Sequence, residues 1–404
     1  MKTNQKVPEG WSVKKLGDVC YLIAGNAFDS NDFVQEGIPL IRISNIDEDK
    51  IVLNENTVFL KESFLKENEK FKVQYNDLLI AMSGATTGKM GINTFLEPML
   101  LNQRVCIIRA KNISQNYLNQ YLFTHKKDIL KQSYGGAQPN IGNNDIKKIK
   151  LPIPPLPEQE KIAKILGCWD DGIEKLSRLI EQKKQLKKGL MQRLLSGKQR
   201  LPGFSEPWKK VKLGDVTQQI TKTVGNLKIK TASISAKIGF VPQAEKFGRD
   251  ISGEQYSKYT LIEKGDFSYN KGNSKTYPQG CTYRLKNFDR IAVPNVFISF
   301  KVKENLLYPE FIEQFFMGNF HGKLLRKVIT SGVRDNGLLN LSVKDFFGIP
   351  IYLPSLSEQK AIADILSKAD EEIDLLTEKL SALKSQKKGL MQKLLTGQIR
   401  VKVA

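Results

Sequence analysis

Apolar residues recur at alternating spacings of four and three along two stretches of the chain. The first reads Ile162, Leu166, Trp169, Ile173, Leu176, Ile180; the second reads Ile362, Leu366, Ala369, Ile373, Leu376, Leu380, Leu383. This is the a/d stripe of a coiled coil, and it predicts one long amphipathic helix in each stretch. Pro157 before Glu158 suits a helix start, and Gly197 and Gly397 are natural stops. Helical throughout, Glu158–Leu195 is 38 residues, roughly 57 Å at ~1.5 Å per residue. Lys183, Lys187 and Lys387 interrupt the stripes before they resume at Leu190, Leu194, Leu390 and Leu394. A long striped helix needs a partner, and the other copy is the expected one. An antiparallel pair would bury Ile162, Leu166, Trp169, Ile173 and Leu176 against Ile362, Leu366, Ile373, Leu376 and Leu380. The alternative is that each helix packs only on its own globular domain.

The two helices are copies. Residues 158–197 and 358–397 align without gaps and share 19 of 40 positions, beyond what chance produces. A second repeat opens each half: Trp11 precedes Leu16-Gly17-Asp18-Val19, and Trp208 precedes Leu213-Gly214-Asp215-Val216. The remaining segments carry short β-rich runs, such as Ile38–Ile43, Asp77–Ala81 and Arg290–Val293, helical patches at Tyr117–Leu130 and Pro309–Val328, and turn residues between them. The expected fold is therefore α+β: two mixed α/β domains, 1–150 and 207–353, alternating with helical segments, 151–206 and 354–404. The tandem repeat would be closed by an antiparallel coiled coil about a pseudo-twofold axis.

Length changes this little: 404 residues accommodate two or three domains. Charge changes it more, because 63 Lys+Arg against 42 Asp+Glu leave +21. That balance calls for a polyanionic partner, nucleic acid first and an acidic membrane surface second. The excess concentrates in 207–353, at +11 against +4 in 1–150. The opening residues lack the apolar core of a secretory signal, and no run is apolar enough to span a bilayer. Cys20, Cys106, Cys168 and Cys281, with His125 and His321, form no metal or disulfide pattern. A reducing cytoplasm is the simplest compartment.

Catalytic motifs fail on inspection. Gly84-Ala85-Thr86-Thr87-Gly88-Lys89-Met90 imitates a phosphate loop, but it is one residue short and Met90 stands where the magnesium-binding hydroxyl belongs. A Gly-rich turn offering backbone amides and Lys89 to a phosphate backbone is the better reading. Glu48-Asp49-Lys50 with Asp29 or Asp32 is a weak imitation of a nuclease metal site. His125 and His321 have no nucleophile or acid grouped with them and read as solvated or core residues.

In order along the chain, Trp11…Leu16-Gly17-Asp18, Asp77–Lys89, Gln138-Pro139-Asn140-Ile141 and Leu151–Gln159 resemble the specificity subunits of type I restriction-modification systems. The resemblance spans essentially the whole chain. The second half departs locally, with Asn270–Lys275 and Gly332–Gly337 at the corresponding places. It implies a non-catalytic subunit with two target-recognition domains, each reading one half of a bipartite double-stranded DNA target, and a helix pair that sets the gap. It further implies two methyltransferase subunits docked on the helices and restriction subunits joining that core. S-adenosylmethionine, ATP and magnesium would be held by those partners, and no metal by this chain. Candidate DNA-binding residues are Ser83, Thr86, Thr87, Lys89, Gln138 and Asn140 in the first domain, and Lys271, Asn273, Lys275, Arg334 and Asn336 in the second. A stand-alone DNA-binding regulator and a metal-dependent nuclease are the other classes open to such a sequence.

Overall fold

A computed structural model describes residues 7–47, 49–131, 140–235, 238–272, 277–329 and 338–403. They fall into two compact units, one of Met1–Leu176 with Lys379–Ala404, the other of Ser177–Glu378. Each unit thus holds one globular domain and half of each long helix.

In the first unit, β1 (Ser12–Lys15) turns through Leu16–Val19 into β2 (Cys20–Ala24). The central strands are β3 (Leu78–Ala81), β4 (Met90–Ile92) and β5 (Val105–Ala110). The sheet runs β2-β5-β3-β4, followed by the short strands Lys50–Ile51 and Ile46–Asp47. Every residue of β3 is buried, and its side chains alternate between two cores. Leu78 and Ile80 join Cys106, Ile108, Tyr117 and Leu118 on one face, while Leu79 and Ala81 join Val105 and Ile107 on the other. That explains a continuous apolar run in place of alternation. The expected helical patch is two helices, α1 (Gln115–Thr124) and Lys126–Leu130, broken at His125. Finally β6 (Lys150–Ile153) pairs antiparallel with β1, so the end of the domain returns to its beginning, and α2 (Leu156–Leu194) departs.

The second unit repeats the plan. Its β7 (Lys209–Lys212), β8 (Thr217–Gln219), β9 (Phe267–Asn270), β10 (Cys281–Arg284) and β11 (Ile298–Val302) give the sheet order β8-β11-β9-β10. The core face is aromatic, with Phe267 stacked on Phe300 at 5.4 Å. Helix α3 (Pro309–Met317) is followed by Phe320–Leu325, the break falling at Gly318-Asn319, where Asn319 is left-handed. Strand β12 (Pro350–Leu353) pairs antiparallel with β7 and leads into α4 (Leu356–Leu394).

Both long helices have 39 residues, and within each unit their halves pack antiparallel. Ile162 and Leu166 share a core with Leu390, Met391, Leu394 and Leu395, and equally with the domain residues Trp11, Leu16 and Leu151. Ile362 and Leu366 do the same with Met191, Leu194 and Leu195 and with Leu213, Phe311 and Ile351. Pairing and domain packing, posed as alternatives by the sequence, are one core. Farther along, Ile373 is buried, while Trp169, Ile173, Leu176, Leu376 and Leu380 are half-exposed.

Candidate nucleic-acid interface

Strand β3 is followed by Met82, where three distant segments are tied together. The Met82 amide donates to the Arg104 carbonyl (2.8 Å), and the Ile141 amide donates to the Met82 carbonyl (2.9 Å). Ser83 bridges to Asn140. The second unit builds the same junction at the end of β9. There the Leu339 amide donates to the Lys271 carbonyl (3.0 Å), and Gly272 bridges to Leu338. Segments separated by about 60 residues in sequence therefore meet at one rim on each domain.

The individual candidates divide. Lys89 and Asn140 are exposed, and Ser83 and Thr86 are partly so. Thr87 is buried and its hydroxyl donates to the Gly84 carbonyl (2.7 Å), so it shapes the turn. Lys271 donates from Nζ to the Leu341 carbonyl (2.9 Å), which ties it to its own domain. Gln138, Asn273, Lys275, Arg334 and Asn336 lie outside the described residues.

Three backbone amides of the Gly-rich turn are used by the turn itself. Those of Thr87, Gly88 and Lys89 donate to the carbonyls of Gly84, Ala81 and Thr86 at 2.8–3.0 Å. They close a hairpin between β3 and β4, leaving the Lys89 side chain as its exposed cation. Glycine is required at 88, where φ is +76° and a Cβ would lie 2.2 Å from Leu130 Cδ2.

The junction of each domain with its helix pair is polar and was missed by sequence reasoning. The Glu-Gln pair opening each long helix explains itself here. Gln159 accepts from the Ser114 amide and donates to the Pro154 carbonyl, both at 2.8 Å. Gln359 accepts from the Tyr308 amide (2.8 Å) and donates to the Pro354 carbonyl (3.1 Å). Glu158 accepts from Arg400 Nε (2.9 Å) and Trp11 Nε1 (3.2 Å), with Arg400 also placed over the Trp11 ring. The Arg400 guanidinium holds the Glu158 carboxyl below its ordinary range. Arg200 makes the matching fork to Glu358, at 2.7 and 2.8 Å, over Trp208.

The lysines that interrupt the stripes are paired as well. Lys387 forms a short ion pair with Asp170, whose second oxygen accepts from Gln120 of α1 at 2.8 Å. Lys187 pairs with Asp370, which accepts from Gln314 of α3 at 2.8 Å. Each Gln–Asp–Lys chain links a domain helix to both halves of its helix pair. The two aspartates stood at matching repeat positions and could have signalled the pairing.

No cluster of His, Cys, Asp or Glu suited to a metal occurs among the described residues. His321 is fully buried between Tyr269 and Phe316, neither ring nitrogen finds a hydrogen bond among the described residues, and burial pushes its pKa down to about 3. His125 stacks on Tyr121 at 4.1 Å. Both are structural. No helix among the described residues is long and apolar enough to cross a membrane.

Comparison with known proteins agrees with this reading. The model of the type I restriction modification DNA specificity domain matches twice, at residues 8–186 and 205–385. The chain is 26% identical to the putative type I restriction enzyme MjaX specificity subunit of Methanocaldococcus jannaschii, over 98% of this chain and 95% of that protein. It is 24% identical to the EcoKI specificity subunit of Escherichia coli, over 88% and 81%. Among solved structures, the S subunit of a type I restriction-modification system from M. genitalium shares the fold, with a TM-score of 0.61, 19% identity and 98% of both chains covered.

Proposed function

Because the chain belongs to the type I restriction-modification specificity subunits, non-catalytic subunits that recognise DNA, we propose that its two domains each read one half of a bipartite double-stranded target. The observation that carries this reading is the repeated rim. At Met82–Asn140 and at Lys271–Leu338 the same backbone junction closes the end of a central strand, and in the first domain it leaves Asn140 and the nearby Lys89 exposed. Phosphate contacts would position each rim and side chains in the loops would read base edges. Of the candidates, Ser83, Thr86, Lys89 and Asn140 have exposed surface there.

The helix pair serves as the spacer between half-sites. Its exposed faces dock two methyltransferase subunits, and restriction subunits join that core. S-adenosylmethionine, ATP and magnesium belong to those partners, and the complex works in the cytoplasm. The proposed organisation remains four segments, 1–150, 151–206, 207–353 and 354–404.

Methylome sequencing of host DNA with and without the gene tests this. A bipartite methylated motif that disappears on deletion is the expected result; an unchanged methylome would refute the reading.

A further inference from the structure

Four described residues other than glycine have positive φ: Asp49, Asn76, Arg104 and Asn319. Asp and Asn tolerate the left-handed region, because a short polar side chain can bond locally; arginine has no such excuse. Arg104 nevertheless adopts φ +70° in the turn Asn102–Arg104 that leads into β5. Its backbone is fixed from two sides, by the Met82 amide on its carbonyl (2.8 Å) and by the Gln103 amide donating to the Asn26 carbonyl (2.7 Å). The side chain is exposed, and no hydrogen bond or ion pair reaches its guanidinium from any described residue. Thus a strained, rigid turn on the recognition rim, one residue from the Ser83–Asn140 bridge, holds an uncommitted guanidinium outward.

Strain kept at a rigid surface turn is a functional signal. The corresponding turn of the second unit leads into β11, with the Phe297 amide donating to the Pro294 carbonyl as the Val105 amide does to that of Asn102. It carries Asn295 and Val296 where the first carries Gln103 and Arg104. The two domains thus share this corner and differ in its chemistry, as two readers of different half-sites must.

We propose that Arg104 reads a base, donating its guanidinium fork to guanine O6 and N7 in the major groove of the first domain's half-site. The inference rests on the DNA-recognition reading above. A planar fork on a fixed backbone suits bidentate readout, whereas a phosphate contact would need only a flexible cation.

Arg104→Gly and Arg104→Lys, each in the full chain assembled with its methyltransferase subunits, should be compared with wild type by methylome sequencing. Arg104→Gly should melt no lower than wild type, since glycine relieves the left-handed turn. Both variants should lose discrimination at one G·C position of one half-site, by roughly 5- to 150-fold, and leave the other half-site intact. An unchanged motif overturns the proposal. So does an intact motif with uniformly weaker binding and a salt slope lower by about one, the mark of a phosphate contact. A wild-type complex that leaves no bipartite methylation overturns the recognition reading itself, and this inference with it.

Discussion

Removing Asp370 should destabilise the second unit more than removing its partner Lys187. The Lys187 side chain is 9% exposed and that of Asp370 32%. In Asp370→Asn the ammonium stays buried without a counter-charge. Removing one member of a fully buried pair costs about 3–5 kcal/mol, and the partial exposure of Asp370 reduces that to about 2 kcal/mol. In Lys187→Met the carboxylate that remains is one-third exposed and still accepts from Gln314, so the loss should stay below about 1 kcal/mol. For a unit of about 200 residues each kcal/mol moves Tm by roughly 2–4 °C, giving 4–8 °C for Asp370→Asn and less than 4 °C for Lys187→Met. Circular dichroism melts of the full chain read both values. Because the Lys187 ammonium is largely shielded from solvent, raising salt should not close the gap between the variants. Equal losses, or a larger loss for Lys187→Met, would refute the argument from asymmetric burial.

Glu158, held below its ordinary pKa of 4.5 by Arg400, contributes stability that is complete above that value and is lost as pH falls towards the depressed one; melts from pH 6 to 3 should be flatter for Glu158→Gln than for wild type. Asp77 is forked by Arg109 at 2.6 and 2.8 Å, so Asp77→Asn should cost about 2 kcal/mol in a denaturant titration at neutral pH. Asp266 holds the corresponding turn in the second unit, accepting from the Glu263 amide, and burial raises its pKa. Its contribution therefore grows more favourable as pH falls towards that raised value; Asp266→Asn should be neutral or stabilising at pH 7 to 8, and a loss like that of Asp77→Asn would contradict this. Deleting one heptad from both long helices removes ~10 Å of rise and should shorten the methylated gap by up to about three base pairs, with both half-sites unchanged.

The long helices, the duplication and the central strands were legible because they rest on local periodicity and on repeated strings. Leu78–Ala81 was visible as an apolar run, and Ile162 and Leu166 as stripe positions. The breaks at His125 and Gly318-Asn319 were not, since the apolar pattern continues through them while the backbone turns. The rim was half legible: Ser83 and Asn140 were marked, but their bridge depends on a chain reversal between residues far apart. Arg104 carries no motif, and only its φ distinguishes it. Nor does glycine spacing say which donors the Gly-rich turn will use for itself, as it does those of Thr87, Gly88 and Lys89.

The polar pairs also decide an orientation that apolar stripes leave open. Leucine and isoleucine at a and d pack in parallel or antiparallel pairs alike. Asp170 and Asp370 occupy equivalent repeat positions, as do Lys187 and Lys387. A parallel pair in repeat register would set aspartate beside aspartate and lysine beside lysine, leaving partly buried like charges in contact. Reversing one helix brings each aspartate to the other copy's lysine, and both units show that result, Asp170 with Lys387 and Asp370 with Lys187. The outer pairs obey the same rule, Glu158 with Arg400 and Glu358 with Arg200. The interruptions of the stripe thus act against the wrong pairing while the apolar positions supply the cohesion. A duplicated segment cannot fix the direction of its own pairing by apolar packing alone, and here charge fixes it.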